Sequence, residues 1–295
     1  MQQVFVTGVT GYIGGAIAAR LIQAGYAVSG LVRQEKDFPA IQAAGITPVG
    51  GSLDDEQVIT RQVQAADAVI HAADADNAFT VATILEALAG TGKKFIHTSG
   101  SSITGDKARG EYAGLEPLTF IPEKPRLEKA ARVAIDRAVL AAADVQVHSI
   151  VVCPTMIYGT GTGIKKDSIQ IPLLTAAARE AGIGVHVGKG ENRWSNVHIA
   201  DLADLYLLAL EKAPAGSFFY AENGLLPLQE IAAAISRALG FKGATKGLSM
   251  EEAIRLWTPE GAHFGLGSNS IVSASPAREL GWAPQYDTLL AGIAG

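Results

Sequence analysis

The stretch Val4-Phe5-Val6-Thr7-Gly8-Val9-Thr10-Gly11-Tyr12-Ile13-Gly14 decides the fold. Its first four residues are β-branched or aromatic and read as a buried strand. From Gly11 to Ala24 the spacing turns helical, with Ile13, Ile17 and Leu21 on one face. Three glycines stand at the junction, more than a tight turn alone requires. Gly8 permits a sharp turn, Gly11 lets the backbone approach a ligand, and Gly14 lets the helix pack closely on the strand. The helix then begins with free N–H groups and a partial positive charge, which suits a pyrophosphate. Gly8, Thr10, Gly11, Tyr12 and Ile13 are therefore expected to hold a dinucleotide.

The next strand, Ala27 to Val32, ends at Arg33. A carboxylate at that position would bind the ribose 2′-hydroxyl of NAD. A guanidinium instead pairs with a 2′-phosphate and stacks on adenine, so NADP(H) is the expected cofactor.

Further out, strands and helices keep alternating: a short strand at Ile46 to Val49, a helix from Asp54 to Ala65, a strand at Ala68 to Ala72, a helix from Phe79 to Ala89, a strand at Lys94 to Thr98, a helix from Arg126 to Ala143, and a strand at Val145 to Val152. Pro48 restricts the third strand to an edge or a strand start. This alternation predicts right-handed βαβ units and a parallel sheet covered on both faces. After Pro154 the pattern changes. Glycines cluster at 159, 161 and 163, and helical stretches follow at Ser168 to Ala181, Ile199 to Leu210, Leu228 to Leu239 and Ser249 to Trp257.

Composition narrows the function classes. The 295 residues are 48% hydrophobic and 18% charged, with a formal charge of −5, which is a globular composition. Lys and Arg form no dense cluster, which argues against nucleic acid or an anionic membrane as partner. One cysteine, Cys153, excludes an intramolecular disulfide. Six histidines and that cysteine show no metal-ligand spacing, so no metal is expected. The N-terminus lacks a basic region and a cleavage site, and no apolar stretch is long enough to span a bilayer; the expected location is cytoplasmic.

Several segments resemble the extended and atypical short-chain dehydrogenases/reductases, the group of sugar-nucleotide epimerases, dehydratases and dihydroflavonol-type reductases. Thr7 to Gly14 has the form of that group's glycine loop. Gly51-Ser52-Leu53-Asp54 resembles its element near adenine, with Ser52 where aspartate is common, and Val69-Ile70-His71-Ala72-Ala73 resembles the strand end beneath the cofactor. Val152-Cys153-Pro154-Thr155-Met156-Ile157-Tyr158-Gly159 resembles the segment beside the nicotinamide. Asn196 to Ala203 and Arg278 to Pro284 resemble two further elements of the group. The resemblance implies an α/β Rossmann-type doubly wound parallel sheet with a smaller C-terminal substrate lobe. Residues 1–160 would form the dinucleotide-binding domain, with 196–215 returning to it; 161–195 and 216–295 would form the lobe. It also implies cofactor contacts from Ser52, Leu53, His71, Ala72, Ala73, Thr98, Pro154 and Thr155.

The group's reaction uses a tyrosine hydroxyl, a lysine four residues later and a serine or threonine after the fifth strand. None of the seven tyrosines here has a lysine four residues on. If Asp136 marks the motif's acidic position, Arg132 stands for the lysine and Glu128 for the tyrosine, and the hydroxyl position falls on Gly100. One reading is a rebuilt site. Arg132 or Lys129 holds the ribose, Ser99, Ser101 or Ser102 orients a substrate oxygen, and Tyr112, Tyr158 or a water delivers the proton. Such a protein reduces a small carbonyl or related compound with NADPH. The alternatives are a non-catalytic NADP(H)-binding redox sensor and a sugar-nucleotide epimerase or dehydratase. Arg193-Trp194 is a candidate for binding a planar or anionic substrate, with an ordered surface turn as its structural counterpart. His198 reads as a hydrogen-bonding residue at a helix start. The polar stretch Gly105 to Pro122 lies where a lid could sit. Apolar positions in Val81 to Leu88 and Val133 to Leu140 exceed what one core face needs, which suggests a homodimer.

Overall fold

The computed structural model describes residues 2–286 and 288–294. Among the described residues, twelve strands run in chain order: β1 (Gln3–Thr7), β2 (Ala27–Val32), β3 (Thr47–Gly50), β4 (Ala68–His71), β5 (Lys94–Thr98), β6 (His148–Pro154), β7 (Met156–Tyr158), β8 (Gly184–Val187), β9 (Arg193–His198), β10 (Ser217–Ala221), β11 (Leu225–Pro227) and β12 (Thr245–Leu248). Seven form one parallel sheet in the order β10-β6-β5-β4-β1-β2-β3. The register is regular: Val4 pairs with Val28 on one side and with Ala68 on the other. The order reverses between β1 and β4, and that switch point is where open α/β sheets leave a crevice for a ligand. β3 lies at the edge, where Pro48 cannot interrupt a second ladder.

Alternating side chains of β1 feed both faces. Val4 and Val6 pack under the helices Tyr12–Gln23 and Ile199–Lys212, with Ile17, Leu21, Leu202 and Tyr206. Phe5 packs on the other face, with Phe95 of β5 and with Ile59, Ile84, Val133 and Val139 from the helices Glu56–Ala65, Ala78–Leu88 and Ala130–Ala141. The doubly wound α/β arrangement is thus the one expected.

The lobe has its own core around Met156, Leu174, Trp194, Ile231 and Trp257. It holds a three-stranded sheet, β11-β9-β7, and a pair, β12-β8. The glycine cluster after β7 serves close packing: a Cβ on Gly163 would lie 2.6 Å from Gly15 Cα, so the loop rests on the first helix. One boundary needs correction. The expected lobe start at 216 falls just before β10, whose Ser217 to Ala221 pair with β6 and belong to the large sheet.

Two other expectations change. The helix predicted from Arg126 starts at Ala130, because Leu127–Lys129 forms a 3-10 turn. Glu128, at the expected tyrosine position, therefore lies in that turn and not in the α-helix. The segment 105–122 is not a free lid: Gly110 N donates to Gly267 O, Gly114 N to Asn269 Oδ1, and Leu118 N to Ile271 O. The apolar surplus behind the dimer expectation is mostly used within the chain, since Val81, Ile84, Leu88, Val133, Ile135 and Val139 are buried; Phe79 and Leu127 stand exposed nearby.

Candidate functional site

The glycine loop is built as its sequence requires. Gly8 has φ +81°, and a Cβ there would lie 2.6 Å from Ala72 O. Gly11 N donates to Gly8 O at 2.8 Å, closing the turn. The helix at Tyr12 has no side-chain cap and no acid in its first turn, so its N–H groups stay open to an anion.

Two cavities lie over this loop. The first, about 600 Å³, is lined by Gly8, Thr10, Gly11, Leu31, Arg33, Ser52, Leu53, Ala72 and Ala73, together with Gln34, Lys36, Asp37, Asp54, Asp74 and Asn77. The second, about 230 Å³, is lined by Gly11, Tyr12, Ile13, Ala72, Ala73, Thr155 and Ile157, with Lys165, Ser168, Ile169 and Gln170 from beyond the glycine cluster. Gly11, Ala72 and Ala73 are common to both, so the two form one trough along the C-terminal ends of β1, β2 and β4. An exposed cation, Arg33, stands at the end of β2 with Lys36 beside the same cavity. The open helix terminus, the cleared glycine cradle and the cation at the 2′ end fit a dinucleotide.

His71, Thr98 and Pro154, expected at the cofactor, line neither cavity. His71 is fully buried, with Nδ1 against Thr7 Oγ1 at 2.8 Å and Nε2 against Asp74 O at 2.8 Å. Thr98 accepts from Tyr206 Oη at 2.7 Å, and Pro154 is buried in β6 beside β10. Each is turned into the sheet by strand alternation.

The five catalytic candidates do not converge. Ser99 Oγ donates to Asp136 Oδ2 at 2.6 Å in the core. Ser101 is buried and shares a hydrogen bond of 2.9 Å with Ser270 Oγ. Tyr158 Oη donates to Tyr286 O at 3.2 Å, with its ring against His198. Lys129 is ion-paired with Glu260. Arg132 alone faces the strand-end loops. Its guanidinium forks onto Asp76, with Nε to Oδ1 at 2.8 Å, and Nη1 donates to Ser102 Oγ at 3.1 Å. A Cβ on Gly100 would lie 3.2 Å from Nη1, so the missing side chain at 100 makes room for the guanidinium. The hydrogen bond from Arg132 holds the Asp76 carboxyl below its ordinary range.

Behind Ser99 lies a buried polar cluster. His97 stacks on His71 at 5.6 Å, and its Nε2 is 3.6 Å from Asp136 Oδ1. Burial pushes Asp136 up to about 7, against the Ser99 hydrogen bond and the Arg132 charge. Burial holds His97 well below its usual value. Burial also raises the hydroxyls of Tyr12 and Tyr206 well above the usual tyrosine range.

Trp194 is buried and donates from Nε1 to Ser268 O at 2.8 Å, whereas Arg193 is exposed. Trp194 is therefore a core residue, while Arg193 stays open to solvent. His198 accepts from Ala200 N at 3.2 Å as a helix cap. Asp76, Lys165, Gln170 and Glu260 went unforeseen; of these, only Asp76 had a local signal, as an acid in the loop closing β4. Among the described residues, no His/Cys/Asp/Glu group is placed to hold a metal, and no helix is long and apolar enough to cross a membrane.

The model of the NAD dependent epimerase/dehydratase family matches residues 4–219. The chain is 32% identical to protein C2A9.02 of Schizosaccharomyces pombe, across 99% of this chain and 98% of that one. It is 26% identical to the 2-alkyl-3-oxoalkanoate reductase of Stenotrophomonas maltophilia, across 86% of this chain and 81% of the reductase. Among solved structures, the dTDP-glucose 4,6-dehydratase of Bacillus anthracis in complex with NAD superposes with a TM-score of 0.78 at 18% identity, covering 100% of this chain and 94% of that one.

Proposed function

Because the chain belongs to the NAD dependent epimerase/dehydratase family, we propose that it is an NADP(H)-dependent reductase of a small carbonyl compound. The observation that carries this reading is the trough from Arg33 and Lys36, across the glycine loop, to Thr155 and Gln170. Gly8, Thr10, Gly11, Tyr12 and Ile13 would hold the pyrophosphate, Arg33 and Lys36 the 2′-phosphate, and Ser52 and Leu53 the adenine side. Ala72, Ala73 and Thr155 would wall the nicotinamide end. Bound there, the cofactor supplies the hydride for a carbonyl carbon.

The chain's own residues must hold the carbonyl oxygen. Ser102 Oγ accepts from Arg132, so its hydroxyl proton is free to donate to that oxygen. The adjacent guanidinium favours negative charge there. Tyr12 and Tyr158 donate their hydroxyls to backbone carbonyls of Gly159 and Tyr286, and Tyr112 is hydrogen-bonded to Asp106, so water is the proton source in this reading. A relative whose name is 2-alkyl-3-oxoalkanoate reductase supports reduction over epimerisation.

The test is NADPH consumption, followed by nicotinamide absorbance, against a panel of aldehydes and ketones. Turnover with at least one is expected. Tight NADP+ binding with no turnover across the panel would favour the sensor. Conversion of a nucleotide sugar without net NADPH loss would favour an epimerase.

A further inference from the structure

The Lys129 ammonium is buried, with 4% of its side chain exposed, yet its partner Glu260 is 61% exposed. The segment carrying Glu260 is unusual. Thr258 has φ +64° and ψ 165°, a conformation that a β-branched residue rarely adopts, and Pro259 follows it. A π-helical turn then runs Gly261–Leu266. Phe264 of that turn sits under both Lys129 and Arg126, whose charged atoms lie 4.5 and 4.4 Å from the ring centroid. Arg126 Nε is buried and meets no acceptor. Gln170, a wall of the nicotinamide-end cavity, donates to Gly265 O at 3.2 Å. The strained segment therefore reaches from that cavity to Lys129. Lys129 lies three residues before Arg132, which forks onto Asp76 and donates to Ser102.

We infer that Lys129 is a subsite for the carboxylate of an oxo-acid substrate, and that Glu260 holds the place of that carboxylate in the free chain. The inference rests on the reductase reading for the meaning of "substrate". A buried ammonium is costly to leave unpaired, so Lys129 needs an anion at all times. Glu260 is the exchangeable partner. Its carboxylate is already in contact with water, so it returns to solvent at little cost. Release also lets Thr258 leave its disfavoured conformation. An incoming carboxylate finds the Lys129 ammonium and the unpaired Arg126 Nε–H around the one Phe264 ring, both charge-assisted donors. A carbonyl on the same molecule is then directed toward Ser102 and Arg132. The cluster thus selects a short carbonyl compound that carries its own carboxylate over a neutral ketone.

Calorimetric titration decides this with acetoacetate and its methyl ester as probes, on the NADP+-loaded protein and on protein without cofactor. The native chain should bind the acid about tenfold tighter than the ester, a charge-assisted contact's worth. Glu260→Gln removes the competing charge, so it should tighten acetoacetate several-fold and leave the ester unchanged. Lys129→Met should make acid and ester bind alike. Thermal melting of both variants separates a clamp from a subsite: a purely structural ion pair lowers the melting temperature without moving the acid-to-ester ratio. No acid preference in the native chain, an unmoved ratio in Glu260→Gln, or a preserved preference in Lys129→Met would each overturn the inference. Failure to bind NADP+ sinks the reductase reading instead, and the titration without cofactor still decides the role of Lys129.

Discussion

Asp136 Oδ1 lies 3.6 Å from His97 Nε2, with neither side chain exposed to solvent. Both groups pay for burial in opposite senses. Asp136 is pushed up to about 7 from 3.8, so between those values the unfolded chain releases a proton that the folded chain keeps. Stability from this group therefore falls as pH rises through that window. His97 and His71 are held low by burial, so their contribution is present above pH 6.5 and is lost as pH falls below it. Asp136→Asn removes the first slope and offers an amide proton to His97. Urea unfolding from pH 4 to 8 should show the variant gaining on the native chain by roughly 2–4 kcal/mol toward the alkaline end. Parallel curves would show that Asp136 is ionised in the folded core after all.

Arg33 and Lys36 both border one end of the trough, the end proposed for the adenosine. Arg33→Ala should raise the dissociation constant of NADPH by about tenfold to a hundredfold, the range for a charged hydrogen bond, and leave that of NADH nearly unchanged. Lys36→Ala should have a smaller effect in the same direction, because a point charge replaces a fork less well. Fluorescence titration with the two reduced cofactors measures this. Equal losses for both would mean that Arg33 only stacks, and no loss for either that it only faces solvent.

Gly14→Ala should damage both fold and binding. Its Cβ would lie 2.3 Å from Gly8 O, a backbone atom that cannot move without opening the turn. The expected cost is about 1–3 kcal/mol, as for overpacking, seen as a lowered melting temperature together with lost cofactor affinity. Gly25→Ala is the control: φ there is +91° but nothing lies within 4 Å of the added methyl, so stability should fall and binding should not. If both variants keep full affinity, the loop is not the pyrophosphate cradle.

Six of the large sheet's seven strands were legible because each carries a local signature, whereas β10 was read as part of the lobe. Val4 to Thr7 and Ala68 to His71 are β-branched runs next to turn residues, and Pro48 alone announced an edge strand. Helix starts were less legible: nothing in Arg126-Leu127-Glu128-Lys129 distinguishes a 3-10 turn from an α-helical one. The trough over the glycine loop was legible in part from short motifs, which carry its walls at Gly8, Arg33 and Leu53, whereas the walls at Lys165 and Gln170 came from a segment with no motif. Catalytic candidates fared worst for a physical reason. A sequence shows a hydroxyl but not its partner, and the partners of Ser99 and Ser101 are distant in the chain, at Asp136 and Ser270. Glu260 likewise meets Lys129 across 131 positions. Arg193 and Trp194 were readable in principle, because neighbours in a strand point to opposite faces.

The sharpest separation of roles concerns Ser102 and Arg132. Arg132 is tied to Asp76 and Ser102 at once, so its removal leaves Asp76 unpaired beside the trough proposed for an anionic cofactor. Arg132→Ala should therefore weaken cofactor binding and let the Asp76 carboxyl rise toward its ordinary range, while Arg132→Lys should restore part of both, since a lysine keeps the charge but not the fork. Ser102→Ala is different. It deletes the hydroxyl proposed to hold the substrate oxygen and leaves Arg132 on Asp76. Its cofactor affinity should match the native chain, and kcat for a ketone substrate should fall by about 10- to 1,000-fold with KM little changed, as expected when a donor acts mainly in the transition state. Stopped-flow kinetics beside equilibrium cofactor titration gives both readouts. If Ser102→Ala turns over at the native rate, the substrate oxygen is held elsewhere, and the place of Arg132 reduces to cofactor binding.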